Sequence, residues 1–208
     1  MSIRTGLVAA CLLLAAAPAA VQAQGAAEAI FQRAVADFER GQVDAAADGF
    51  DQVAELLPQQ APHLWQRGIA LYYAERFADC IEQFESHRTV NPNDVENAVW
   101  HYICVARAES PAAAEAALLP VGPDSRVPMR EIYEMFSGDL APADVMAAAG
   151  DSPRARFYAH LYLGLYFEAQ GRLAEAFEQI ELAADDRYAR AGGYMHMVAE
   201  VHLALLQR

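Results

Sequence analysis

Four pairs of residues in the first half of the chain stand 34 positions apart: Ala34 and Gly68, Ala46 and Cys80, Phe50 and Phe84, Pro58 and Pro92. Small side chains return against small ones, an aromatic ring returns against an aromatic ring, and a proline closes each unit. A fixed period of that length is the mark of a helix–turn–helix unit stacked on copies of itself. One such unit cannot bury its apolar face alone, so neighbours must cover it. The pattern is fullest from Leu64 to Pro92, where Gly68 and Cys80 let two helices approach and Leu71, Phe77, Ile81 and Phe84 fill the space between them. Each such large side chain contributes ~1.5–3 kcal/mol when buried.

The residues of that stretch resemble the tetratricopeptide (TPR) pattern W-x2-L-G-x2-Y, then A-x3-F, then P. The resemblance implies an all-α fold, a TPR-type helical-repeat solenoid wound as a right-handed superhelix. Repeats are expected near residues 26–59, 60–93, 94–120 and 154–187. In the first, Ile30, Ala34, Phe38, Val43, Ala46, Phe50 and Val53 recur at helical spacing, with Gly41 as the turn. Helices are expected from Val95 to Glu109 and from Pro111 to Leu119, the first capped by Asn93 or Asp94. Pro120, Gly122, Pro123 and Pro128 then crowd a connection that cannot be helical throughout. Residues 121–153 are therefore irregular, with short helices at Met129 to Phe136 and Pro142 to Ala149. The pattern returns at Arg154 to Ala184 with Leu163, Gly164, Phe167, Gly171, Leu173, Ala176 and Ile180. Gly164 falls short of three full periods after Gly68, so the divergent middle repeat is irregular in length too. Tyr194 to Gln207 reads as a capping helix over the end of the stack.

Met1 to Ala23 read as a secretory signal peptide. Arg4 gives the positive start, Gly6 to Ala17 an apolar run, and Val21-Gln22-Ala23 a small-residue cleavage site before Gln24. The run is short of the ~20 residues a membrane-spanning helix needs. Val8-Ala9-Ala10-Cys11 resembles a lipobox, but the apolar run continues beyond Cys11, the wrong order for a lipoprotein. The reading is thus a periplasmic or secreted domain at 24–208, with membrane anchoring disfavoured.

The chain has no lysine, and all 15 basic residues are arginine. Without Arg4, 14 arginines face 28 Asp and Glu, a balance of −14. Such a surface repels phosphate backbones and anionic lipid, which disfavours nucleic-acid binding and membrane adsorption. Beyond the signal, Cys80 and Cys104 remain. Each fits as a small buried helix residue, and each fits as half of a disulfide tying the second repeat to the next helix. Neither lies in a CxxC pair.

No motif carries catalysis: there is no Gly-rich phosphate loop, no HExxH and no GxSxG. His63, His87, His101, His160, His196 and His202 are scattered, and His196 and His202 are six apart rather than at the i, i+4 spacing that grips a metal. They read as isolated surface or half-buried side chains. The sequence points to no enzyme activity, no cofactor and no metal.

A surface is the stronger signal. In a stack of this kind the first helix of each pair lines a concave groove. The groove residues are then Phe31, Val35 and Phe38; Trp65, Ile69, Tyr72 and Tyr73; Val99, Ile103 and Arg107; and Tyr158, Leu161 and Leu165. Trp100 joins them as a further aromatic anchor. Trp and Tyr are the commonest binding anchors, so the candidate partner-binding set is Phe38, Trp65, Ile69, Tyr72, Tyr73, Trp100, Arg107 and Tyr158. An apolar face this wide is costly to leave in water, so self-coverage, by the irregular segment or by a second copy, stands beside ligand binding. Arg67, Arg76 and Arg130 are placed to pair with Glu85, Glu131 or Glu134. Two other functions stay open: a small-molecule or hydrolytic site in the middle segment built from His101, Arg130 and Glu134, and a structural homo-oligomer.

The runs HLWQRGIALYY (His63 to Tyr73) and NPNDVENAVWHYI (Asn91 to Ile103) resemble the NlpI-type TPR lipoproteins of the bacterial periplasm. Secreted TPR-like proteins share a segment like VPMREIYEMFSG at Val127 to Gly138. The resemblance implies a helical scaffold of the cell envelope that presents partner enzymes, notably a tail-specific protease and peptidoglycan hydrolases, and that dimerises. The expected function is therefore a non-catalytic adaptor binding a protein or peptide. The chain departs from the family in lacking a well-placed lipobox.

Overall fold

Gly41 and Glu75, one repeat period apart, both adopt left-handed backbone, with φ of 69° and 56°, and Gly171 does so at 73°. Each reverses the chain between two helices, so the period seen in the sequence is a period of turns in space. Glycine meets this geometry at no steric cost; Glu75 meets it with a Cβ, which L-residues ordinarily avoid.

The computed structural model describes residues 13–208, with side chains from Val21 onward. Arg4 and the Cys11 lipobox lie outside these residues. The helices are α1 (Leu13–Glu39), α2 (Val43–Leu56), α3 (Trp65–Tyr73), α4 (Phe77–Arg88), α5 (Val95–Ala108), α6 (Pro111–Ala116), α7 (Met129–Phe136), α8 (Pro142–Ala149), α9 (Pro153–Ala169), α10 (Leu173–Ala183), α11 (Ala189–Gly192) and α12 (Tyr194–Leu206). The chain is all-helical among the described residues, and the helices pack against one another in a manner compatible with a helical repeat. Also among them, no helix is long and apolar enough to cross a membrane. The first helix starts earlier than Ala26, because the alanine-rich run before it favours helix. Its buried contacts begin only at Ala27, against Val53 and Leu64.

Packing within the pairs follows a small-to-large rule. A Cβ built on Gly68 would lie 2.6 Å from the Phe84 ring, and one on Gly164 would lie 2.6 Å from Ile180. Phe84 and Ile180 stand at the same offset along the chain from their glycines. Tyr102, one period after Gly68, breaks this rule. Its buried ring meets Phe136 of α7 edge to face at 5.0 Å, and its hydroxyl donates to the Pro111 carbonyl of α6 at 3.4 Å. Helix α6 ends at Ala116 rather than Leu119, ahead of Pro120, Gly122 and Pro123.

Helices α5 and α9 are buried on every side: Val95 and Asn97 to Val105 in one, Phe157 to Leu165 in the other. A helix apolar all round belongs at a centre. Their starts are capped by Asp94, accepting from Glu96 N at 3.2 Å, and by Ser152, accepting from Ala155 N at 3.4 Å. Cys80 of α4 and Cys104 of α5 form a disulfide with Cα atoms 6.1 Å apart, so of the two readings for these cysteines the bridge is the one found. Helix α12 packs on α10 and reaches α1, joining the last helix pair to the first.

Two expectations about polar groups are corrected. Arg67 donates to Asp51 (2.6 Å) and Gln83 (2.8 Å), and Arg76 to Asp51 and Asp79, so neither pairs with the glutamates assigned to them. Aspartates at the α2–α4 junction are nearer to these guanidinium groups. His87, His101, His160, His196 and His202 are all buried rather than half-exposed; each lies on a helix face turned into the core.

Candidate functional site

Helix α12 lies across the face that the sequence assigns to a partner. Its Tyr194 meets Trp65 edge to face at 4.9 Å and stacks on Phe38 at 6.5 Å. Towards the other end of the helix, His202 meets Tyr73 at 5.5 Å. The aromatic wall is thus covered by the chain itself. Phe38, Ile69, Tyr72, Trp100 and Tyr158 are buried, which corrects the expectation of an open groove for these five. The C-terminal helix supplies the cover, not the irregular segment, because its apolar face is long enough to span from α3 to α9.

What remains accessible is split into two clefts, one at each end of α12. Trp65, Ile69, Trp100 and Tyr158 line the first, and Tyr72, Tyr73 and Arg107 line the second. Phe38 lines neither and is wholly core. Of the eight candidate residues, only Trp65, Tyr73 and Arg107 keep appreciable contact with solvent.

The first cleft has a volume of about 250 Å³, with Phe84, His87, Asn91, Asp94, Glu96, Asn97, Gly192, Tyr194 and Met195 completing its lining. Its walls are rings and its rim is acidic. Glu96, with 14% of its side chain exposed, accepts from Tyr162 Oη at 2.6 Å and pairs with Arg126 at 2.5 Å. The same guanidinium holds Asp94 and Asp124, each at 2.5 Å. Burial pushes the Glu96 carboxyl up, and the charge of Asp94 adds to this, with Arg126 and Tyr162 opposing. Burial likewise pushes the Tyr194 phenol up. Three buried polar atoms on this lining have no protein partner: Asn97 Oδ1, Trp100 Nε1 and Tyr194 Oη. Native proteins rarely leave such groups unpaired unless a ligand or water meets them.

The second cleft, of about 270 Å³, is bounded by Glu75, Glu168, His202 and Leu205 as well. His202 Nε2 lies 3.0 Å from Glu168, and its Nδ1 lies 2.8 Å from Tyr73 Oη. Arg107 reaches Glu168 at 3.3 Å and stands over the Phe77 ring at 5.1 Å. Burial pushes both tyrosine phenols up, so neither Tyr72 nor Tyr73 offers a phenolate near neutral pH. The chain Tyr73–His202–Glu168 ties α3, α12 and α9 together and presents no nucleophile.

The middle segment does not assemble the alternative site. Arg130 and Glu134 pair at 2.8 Å on the surface of a shallow depression of about 630 Å³, and His101 is not among its lining residues. Among the described residues, no group of three His, Cys, Asp or Glu side chains is placed to hold a metal ion.

Sequence reasoning missed His87, Asp94, Glu96, Asn97 and Tyr194 at the first cleft. One signal was present: Glu96 and Asn97 are adjacent polar residues in the first turn of a helix that is apolar from Ala98 to Val105 except at His101. Tyr194 gave none, because it follows the break at Gly192-Gly193 and belongs to a helix distant in sequence. No protein-family model matches the chain. The class defined by the geometry is an all-helical, repeat-like protein with an aromatic, acid-rimmed cleft at the start of its last helix.

Proposed function

We propose that this protein is a non-catalytic adaptor: a degenerate TPR-type solenoid, exported to the periplasm or secreted, that binds a protein or peptide partner at the first cleft. The observation that carries this reading is the edge-to-face pair Trp65–Tyr194. Both rings remain partly exposed at the mouth of a cavity whose inner walls, Ile69, Phe84, Trp100 and Tyr158, are buried. Such a mouth accepts one anchoring side chain of a partner, in place of the long peptide groove expected from an open stack. Partly exposed Trp and Tyr beside a desolvated pocket are what binding hot spots are made of.

The leader-like stretch from Met1 to Ala23 and the Cys80–Cys104 disulfide support an oxidising compartment. The likeness of His63 to Tyr73 to NlpI-type proteins supports a role in the cell envelope, regulating peptidoglycan hydrolases or a protease, and a homodimer as the assembled form. The test is affinity capture from periplasmic extract with the chain from Gln24 onward, beside Trp65→Ala and Tyr194→Ala. The expected result is a discrete partner held by the native protein and weakened by ~2 kcal/mol or more in each variant, with helicity unchanged. Equal retention by all three proteins would remove the cleft from the reading.

A further inference from the structure

The polar groups of the first cleft are unequal in kind. His87 Nδ1 lies 2.8 Å from the Pro62 carbonyl. A carbonyl only accepts, so Nδ1 carries the hydrogen, and the other ring nitrogen of a neutral His87 is left as an acceptor. Asn97 Oδ1 is a second acceptor, buried without a partner, and the Asn97 and His87 side chains are 4% and 5% exposed. Asp94 and Glu96 add carboxylate oxygens, each with lone pairs beyond those engaged by Arg126, Tyr162, the Asn91 amide and the helix cap. Against this stand the buried Trp100 Nε1–H and the Tyr194 hydroxyl, both unpaired.

Charge points the same way. Arg126 is the one guanidinium bound to Asp94, Glu96 and Asp124, which leaves a surplus of two negative charges, and it does not itself line the cavity. Arg154, over the Tyr158 ring at 5.7 Å, offsets one of these. An anionic ligand would meet carboxylates across a poorly solvated space. A neutral apolar ligand would seal the acceptors away from water and leave them unpaired, the costlier arrangement. A cation satisfies both, since the partly exposed rings of Trp65 and Tyr194 attract positive charge.

We infer that the first cleft is a binding site for an organic ammonium group, seated between Trp65 and Tyr194 with Asp94 and Glu96 as counter-charges. The group comes either from a free amine or from a basic side chain of a bound chain. Only the second source rests on the adaptor reading; the cation itself does not. A hydroxyl or carbonyl close to the ammonium group is the acceptor that Trp100 Nε1–H lacks.

The test uses the chain from Gln24 onward in calorimetry and tryptophan fluorescence. Choline is compared with 3,3-dimethylbutan-1-ol, its uncharged isostere, and n-butylammonium with n-butanol. A capped lysine-containing tetrapeptide is compared with its norleucine counterpart. The expected result is saturable binding of each cation at least tenfold tighter than its neutral match, weakened by added salt and reduced at least fivefold in Glu96→Gln and Trp65→Phe. Circular dichroism verifies folding, and Asp94→Asn replaces Glu96→Gln should that variant fail to fold. Binding of the lysine peptide identifies a partner's side chain as the source. Binding of the free amines alone upholds the cation site and overturns the adaptor reading. Equal affinity for charged and neutral probes overturns the inference. So does a captured partner that choline and butylammonium do not displace, and that outcome leaves the adaptor reading intact.

Discussion

His202 of α12 places its Nε2 3.0 Å from the carboxylate of Glu168 on α9, where only 12% of the Glu168 side chain is exposed. The contact fixes the far end of the helix that covers the aromatic face. Burial alone drives the Glu168 carboxyl up, but the imidazole of His202 and the guanidinium of Arg107 outweigh it, and the group titrates below the usual carboxylate range.

A carboxylate with a depressed folded value stabilises the fold above its unfolded value of ~4.3, and that contribution is lost as pH falls through the folded value. Glu168→Gln is therefore expected to flatten the loss of stability below about pH 4.5 and to cost ~1–3 kcal/mol at pH 7. Urea unfolding across a pH series measures both. An acid limb identical to that of the native protein would mean that Glu168 is not charged in the fold.

The disulfide closes a loop across a sequence separation of 24 residues between α4 and α5. Constraining a chain over that length stabilises by ~3–4 kcal/mol through the unfolded state. Reduction, or the pair Cys80→Ala and Cys104→Ala, should lower unfolding free energy by that order while leaving far-ultraviolet circular dichroism in place. A reduced protein of unchanged stability would argue against the bridge.

Gly68 is pressed against a ring that cannot retreat: Phe84 is 1% exposed and stacked on Trp100 at 6.3 Å. Gly68→Ala should destabilise by ~1–3 kcal/mol through overpacking, despite the better helix propensity of alanine. Adding Phe84→Leu should recover part of that loss, so the two changes should be less than additive. Additive effects in the double-mutant cycle would show that the pair does not pack as described.

Glu75 occupies the turn position where the first repeat has Gly41, at φ 56°. Glu75→Gly relieves a strain of ~1–2 kcal/mol and gives back ~0.4–1 kcal/mol through the freer unfolded chain. The net expectation is a gain of ~0.5 kcal/mol, read as a small rise in Tm. Its weak 3.8 Å contact with Arg107, at a side chain 76% exposed, offsets little. A fall in Tm would assign Glu75 a contact beyond its backbone.

Much of the architecture is legible because it is written in short-range patterns. The repeat pattern locates the turn at Gly41, and prolines and glycines locate α7 and α8 to the residue. The second helix of the third pair starts at Pro111 as the pattern predicts but ends at Ala116, three residues before Leu119. Side-chain volume acts between helices, and a one-dimensional spacing does not contain it.

The sequence by itself determined the helices, their pairing and the acidic surface, since each follows from neighbours within a few turns of chain. Only the tertiary structure decided what becomes of the aromatic face. Tyr194 reaches Trp65, and His202 reaches Tyr73, each across most of the length of the chain. That closure converts one open groove into two clefts, because burying apolar rings beneath α12 is more favourable than leaving them in water, and nothing local in the sequence states which distant helix does the burying.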